Sequence, residues 1–351
     1  MRQQGGPVAV VDLAVAERNA ELMAKSTREL GVSLRPHVKV HKCPELAQVQ
    51  LRHGAIGVTV ATAAEAVAMV EGGVEDVLVA NQVVDPDGLA ALAGAARRAK
   101  VALSVDDPRQ VALAGQAAAA AGSTLHALIE VDVGMGRCGV REIERVVPLA
   151  RTVEAEPNLS FGGIAGYEGH CVDEPDRALR ERGVTAAAER LRGAVLALVA
   201  DGLTVDVVSA GGTGTYDLAG AEREITELQA GSYLLMDNYH AAITPEFEFA
   251  LTVHATVIAR HGDLIVLDAG RKAVSSDLAP IHLPDHEAEF CFSHEEHSGF
   301  RLRGDGPEIA DRVRIVPGYA PSTVNLHGSI RLVEGEALVE SCRVRARHGD
   351  L

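Results

Sequence analysis

Arg35-Pro36-His37-Val38-Lys39-Val40-His41-Lys42 sets two lysines and two histidines between a short apolar run at 31–34 and a helix-like segment at Pro44 to Arg52. A lysine at the end of a first strand, ringed by basic neighbours, is a candidate for carrying a carbonyl compound. Burial and adjacent positive charge depress its pKa, and the neutral amine can form a Schiff base. The same octamer reads equally well as an ordinary basic loop. Farther on, Glu130-Val131-Asp132-Val133-Gly134-Met135-Gly136-Arg137 runs from a strand into a Gly-rich turn, where Arg137 can hydrogen-bond a phenolate or carboxylate. In Gly166-Tyr167-Glu168-Gly169-His170, Tyr167 can stack on a flat ligand and His170 can act as acid or base. Gly211-Gly212-Thr213-Gly214-Thr215 offers backbone N–H groups and two hydroxyls to a phosphate. It has neither P-loop nor Rossmann spacing. With Ala230-Gly231-Ser232-Tyr233 after the next strand, it matches the phosphate site built by late loops of many barrels.

The elements that must position these residues alternate regularly. Strands are expected at 33–38, 57–60, 76–80, 102–105, 126–131, 162–166, 205–209 and 224–229, with helices such as 61–71, 86–98, 108–121 and 173–200 between them. Eight strands with crossover segments predict a (β/α)8 barrel, preceded by a helix at 15–30. The short, Gly-rich link at 211–223 carries the weakest helical pattern. After Thr244-Pro245-Glu246 the chain becomes strand after strand without helices, which predicts an antiparallel β-domain. The expected division is a barrel at 14–245 and a β-domain at 246–351, joined by residues 1–13. Lys39, Arg137, Tyr167, His170, the 209–215 stretch and Gly231 to Tyr233 all follow predicted strand ends, where barrels carry their sites.

A formal net charge of −16 argues against a nucleic-acid partner and means that an anionic ligand must be held by local donors. The five cysteines are odd in number and lack CxxC spacing, against a disulfide framework or zinc cage. No apolar run reaches the length of a membrane span, and the reading is of a cytoplasmic, soluble protein without a membrane partner. His294-Glu295-Glu296-His297 is not HExxH and reads as a polar edge rather than a ligand set.

Together, RPHVKVHKCPELA (35–47), EVDVGMGRCGV (130–140), GYEGH (166–170), SAGGTGTYD (209–217), ELQAGSYLLMD (227–237), DAGRKAVSSD (268–277), SHEEH (293–297) and PSTVNL (321–326) resemble the fold-type III pyridoxal phosphate enzymes of the D-threonine aldolase and D-serine dehydratase group. Eight ordered segments over nearly the whole chain are specific for the family, less so for the reaction. The resemblance implies an alanine racemase-like barrel plus a β-domain, pyridoxal 5'-phosphate carried on Lys39, and a homodimer. It further implies Arg137 against the cofactor's phenolic oxygen, Tyr167 in the active site, Gln229 at the pyridine nitrogen, and Gly212, Thr213, Gly231 and Ser232 at the phosphate, with Tyr233 beside them.

One departure bears on the reaction. The family's metal-binding His, and the Cys or Asp two residues later, align with Tyr319 and Pro321, neither a usual ligand for Zn or Mn. The resemblance with this departure implies a divalent site that is lost. A retro-aldol then needs a protein base at the β-hydroxyl, from His170, His41, His240 or Tyr319; His240 itself stands where the family's MDxxY pattern has tyrosine. The expectation is a lyase that cleaves or forms the Cα–Cβ bond of a β-hydroxy-D-amino acid, with an amino acid and an aldehyde as partners. The alternatives are a racemase or epimerase, a dehydratase, or a non-catalytic pyridoxal phosphate carrier.

Overall fold

The computed structural model describes residues 6–347. Residues 1–5 and 348–351, which the expected β-domain includes, lie outside the described residues. The described residues divide into two compact units: one holds 6–20, Val40–Cys43 and 232–347, the other Glu21–Lys39 and Pro44–Gly231. The strands are β1 (Val8–Asp12), β2 (Ser33–Leu34), β3 (Val58–Val60), β4 (Asp76–Val79), β5 (Lys100–Val105), β6 (Leu125–Glu130), β7 (Leu159–Ala165), β8 (Val207–Ala210), β9 (Glu227–Leu228), β10 (Leu251–His261), β11 (Leu264–Leu267), β12 (Ala288–Ser293), β13 (Ser298–Leu302), β14 (Arg312–Ile315), β15 (Ser329–Glu334) and β16 (Ala337–Arg343).

In the second unit, β2-β9-β8-β7-β6-β5-β4-β3 form one parallel sheet. A parallel bridge between His37 and Thr59 joins its two ends, with Thr59 N–H donating to Pro36 O and its hydroxyl to Arg35 O, both at 2.8 Å. The result is the expected (β/α)8 barrel. Leu78, Ala102, Leu128 and Ala165, with Val207, pack together from five successive strands. The first strand is shorter than expected. Pro36 has no N–H for a ladder, and the chain passes into a 3₁₀ turn at Val38–Val40. Lys39 is therefore held in a tight turn rather than on a strand end.

The helices between the strands are capped as their sequences direct. Helix α1 (Leu13–Leu30) precedes the barrel, and α2 (Pro44–Arg52) follows the Lys39 turn. Helices α3 (Ala63–Glu71) and α4 (Pro86–Ala95) start on the side chains of Thr62 and Asp85, and α5 (Pro108–Ala121) on a capping box at Asp107. Helices α6 (Val146–Ala155) and α7 (Arg177–Ala200) follow β6 and β7. The weak Gly-rich link holds only the one-turn α8 (Tyr216–Ala219).

In the other unit, β12-β13-β11-β10-β1-β15-β16 form a sheet to which β14 adds beside β10. Val253, Val257, Ile265, Leu267, Phe300 and Ile315 lie within its buried core. The pairing is not wholly antiparallel, because β1 runs parallel to β15. An N-terminal strand whose partner lies near the other end of the chain need not form a hairpin, so its direction is free. Two short helices complete this unit, α9 (Asn238–Ala241) and α10 (Ala320–Leu326); the second occupies the PSTVNL segment, which no periodicity marked.

Candidate active site

Lys39 is partly buried, and its Nζ lies 5.9 Å from the centre of the Tyr167 ring. Burial, and next the charge of Arg137, lower its pKa from the ordinary lysine value, while Glu65 opposes them. Glu65 is itself buried, its carboxylate accepting the Ala61 N–H at 2.8 Å. The ring of Tyr167 reaches on to the Gly-rich turn. A Cβ built on Gly212 would stand 3.2 Å from its Cε2 and 3.4 Å from its hydroxyl oxygen. The Lys39 side chain of the first barrel turn, the Tyr167 ring of the loop after β7 and the Gly212 backbone of the loop after β8 thus converge on one place.

Around them the loops are tied together by carboxylates. Gln82 donates to Glu130 at 2.6 Å and to Asp106 at 3.3 Å, and Asp106 receives the Gly139 N–H at 2.6 Å. Burial pushes the Glu130 carboxyl up, with Gln82 and Arg137 opposing. Arg137 stands 4.0 Å from Glu130 and is half-exposed. Gln229 is buried and donates its amide to Ser209 Oγ at 2.9 Å. Glu168, fully buried in the loop that carries Tyr167, accepts the Thr215 hydroxyl at 2.5 Å and the Gly211 N–H at 3.1 Å. Burial drives its carboxyl above the usual range. Gly231 is the close-packing point. A Cβ there would collide with the His37 carbonyl.

His170 is exposed, its ring against the backbone of Gly134, where a Cβ would strike it. Among the candidates in the other unit, His41 is fully buried with Nδ1 accepting the Cys43 N–H at 3.1 Å. Tyr233 is also fully buried, packed 5.6 Å from the Phe247 ring. Ser232 is partly buried, its carbonyl accepting the Met236 N–H at 2.9 Å. The barrel reading thus anticipated Lys39, Tyr167 and Gly212, which the fold brings together. It assigned no role to Glu65, Glu168 or Ser209. Glu168 carried only a weak signal: an acidic residue between glycines in a post-strand loop.

The same unit holds a second polar arrangement. Met236 takes a left-handed φ of 55°, a conformation that costs a non-glycine residue and delivers Asp237 into the interior. Asp237 Oδ1 lies 2.8 Å from His240 Nδ1, and Oδ2 accepts the Ala320 N–H at 2.7 Å. The imidazole stacks on Tyr319, centroids 5.9 Å apart, and Tyr239 meets both rings edge-on. Burial, then Asp237, hold the Tyr319 phenol above its ordinary pKa.

Residues 11–239 match the family model described as alanine racemase, N-terminal domain, and residues 250–333 match one for a serine dehydratase domain. The chain belongs to the alanine racemase-like, fold-type III pyridoxal phosphate family. Within that family it falls in the D-threonine aldolase group. It is 34% identical to a D-threonine aldolase of an Arthrobacter species, over 97% of this chain and 92% of that protein. It is also 34% identical to the 3-hydroxy-D-aspartate aldolase of Paracoccus denitrificans (strain Pd 1222), over 92% and 86%. The crystal structure of D-threonine aldolase from Filomicrobium marinum superposes with a TM-score of 0.94 at 33% identity, covering 99% of both chains.

The residues present suit the cofactor that this family implies. A lysine with a depressed pKa beside an aromatic ring and a Gly-rich turn touching that ring fit a Schiff-base cofactor that carries a phosphate, and the Gln229 amide offers a neutral polar group. They do not suit the family's divalent ion at 319 and 321. Tyr319 is a partly buried, stacked phenol with a raised pKa, and the side chain of Pro321 carries no donor atom.

Proposed function

We propose that this chain is a pyridoxal phosphate-dependent carbon–carbon lyase that cleaves, or in reverse forms, the Cα–Cβ bond of a β-hydroxy-D-amino acid. The products are glycine or another small amino acid and an aldehyde. The observation that carries this reading is the convergence of Lys39, Tyr167 and Gly212 in a chain that belongs to the D-threonine aldolase group. Lys39 would hold the cofactor covalently, Arg137 its phenolic oxygen, Gln229 its ring nitrogen, and Thr213, Gly231 and Ser232 its phosphate, with Gly212 shaping the turn beside it because its own N–H is taken by Thr215 Oγ1. The bound cofactor supplies an electron sink for the carbanion left at Cα.

The chain's own residues must then remove the β-hydroxyl proton without a divalent ion, and the candidates for this are His170, His41, His240 and Tyr319. Asp237 occupies Nδ1 of His240 and so directs the lone pair of the neutral ring to Nε2. Tyr319 remains a protonated phenol near neutral pH and can donate but not accept. His41 Nδ1 is already engaged by a backbone N–H. Dehydration is the weaker alternative, since hydroxide departure without a metal needs a general acid.

The same proposal takes the barrel as 14–245, the β-domain as 246–351 with 1–13, the assembly as a homodimer and the location as cytoplasmic. Among the described residues, no helix is long and apolar enough to cross a membrane. The test is aldehyde release from D-threonine or D-phenylserine by the purified holoenzyme, with and without chelator, beside elemental analysis. Cleavage that survives chelation in metal-free protein supports the proposal. Chelator-sensitive cleavage overturns its metal-free part, and α-proton exchange in deuterated water without aldehyde points to an epimerase.

A further inference from the structure

A buried carboxylate beside a turn meant for a phosphate is electrostatically unfavourable, because the two anions repel and neither is screened by water. Glu168 nonetheless occupies that position and is only 2% exposed. Its interactions give the reason. Oε1 accepts the Thr215 hydroxyl at 2.5 Å, and Oε2 accepts the Gly211 N–H at 3.1 Å. Thr215 Oγ1 in turn accepts the Gly212 N–H at 3.0 Å, and the Thr215 N–H returns to Gly212 O at 3.2 Å. Gly211 adopts φ +81°, and a Cβ on Gly214 would run into the carbonyl of Val172, so the turn is also pinned against the loop that carries Glu168. The Gly211 and Gly212 N–H groups and the Thr215 hydroxyl all point inward. An anion held at this turn is therefore met by other groups, whose placement depends on this inner lock.

We propose that Glu168, acting through Thr215, is the positioning residue that preforms the 211–215 turn and makes the chain select the phosphorylated form of pyridoxal over the unphosphorylated one. Glu168 touches neither the cofactor nor the substrate in this role. It sets the shape of the turn before the ligand arrives, so the ordering entropy is not charged against binding. The proposal rests on the cofactor reading above and adds the residue through which phosphate recognition runs.

The test is a binding titration of the full chain, stripped of cofactor and retitrated with pyridoxal 5'-phosphate and separately with pyridoxal, followed by visible absorbance. Thr215→Val, which keeps the shape and removes the hydroxyl, and Glu168→Gln, which replaces one acceptor with a donor, are expected to weaken pyridoxal phosphate by about 10- to 100-fold. Pyridoxal should change by less than about twofold, and Thr215→Ser, which restores the hydroxyl, should return phosphate selectivity to near the wild-type value. Equal loss for both ligands, or no loss in Thr215→Val, overturns the proposal. Far-ultraviolet circular dichroism identifies any variant that fails to fold, and the milder Thr215→Val then decides. A wild-type chain that binds both ligands equally refutes the phosphate turn but not Lys39. One that binds neither refutes the cofactor reading itself.

Discussion

Asp237 grips His240 twice: Oδ1 accepts the backbone N–H of His240 at 2.9 Å and stands 2.8 Å from its Nδ1. Asp237 has no exposed surface, and the His240 side chain is 11% exposed. One carboxylate therefore sets both the start of a short helix and the tautomer of the imidazole it carries.

His240→Asn keeps a polar group of similar reach and removes one candidate base. Where His240 is the base, kcat for aldehyde release with the cofactor still bound falls about 10²- to 10⁴-fold. Asp237→Asn should also lower kcat, since an amide can present an N–H to Nδ1 and reverse the tautomer. Visible absorbance at unchanged cofactor content separates these effects from failed loading. Unaltered kcat in both variants would remove His240 from the reaction.

Tyr319→Phe tests the neighbour. The phenyl ring preserves the 5.9 Å stack on His240 and the edge contact with Tyr239. Because the raised pKa keeps the phenol protonated, kcat should change by less than about threefold near neutral pH. A loss as large as that of His240→Asn would make the hydroxyl, not the imidazole, the proton-transfer group.

Lys39 offers a pH prediction with a definite sign. Burial and Arg137 lower its pKa, so the neutral amine is present at lower pH than for a surface lysine. The midpoint for cofactor loading against pH should therefore lie below the ordinary lysine range. Arg137→Met removes a lowering charge and should move that midpoint up. Glu65→Gln removes a raising one and should move it down. The rate of absorbance change on adding pyridoxal phosphate across a pH series reads both, and a downward shift in Arg137→Met or an upward one in Glu65→Gln would contradict the assignment of these charges.

Arg35 carries a stability prediction. Its Nε lies 3.0 Å from both oxygens of Glu227, and its Nη1 lies 2.6 Å from Asp76. Glu227 is buried, so Arg35→Met leaves its charge uncompensated and should cost about 3–5 kcal/mol of unfolding free energy. Arg35→Met combined with Glu227→Met should recover much of the loss, because the unpaired charge goes with its partner. Urea unfolding of the three variants measures the difference, and additive losses would place the ion pair outside the stability of the barrel.

Much of this protein is legible locally. Apolar runs alternating with Ala-rich helices specify the barrel strands, and Pro108 after Asp107 marks a helix start because the missing proline N–H needs no partner there. The PSTVNL helix escaped because seven residues span too few turns to show a periodicity. The first barrel strand stops at Leu34, short of the expected 33–38, because at Pro36 the ladder loses a donor.

By itself, the sequence determined the barrel, the strand-rich stretch that follows it and the loops that carry reactive residues, since each depends on patterns within a few turns of chain. Only the tertiary structure decided which of those residues meet. Thr215 reaches Glu168 across 47 residues, Arg35 reaches Glu227 across 192, and Ala320 reaches Asp237 across 83. The strength of a charge's influence depends on how much water its neighbours exclude, and those neighbours are chosen by the closure of the fold. That is why Glu168 reads as one acidic letter between two glycines and, once folded, becomes the lock of a turn.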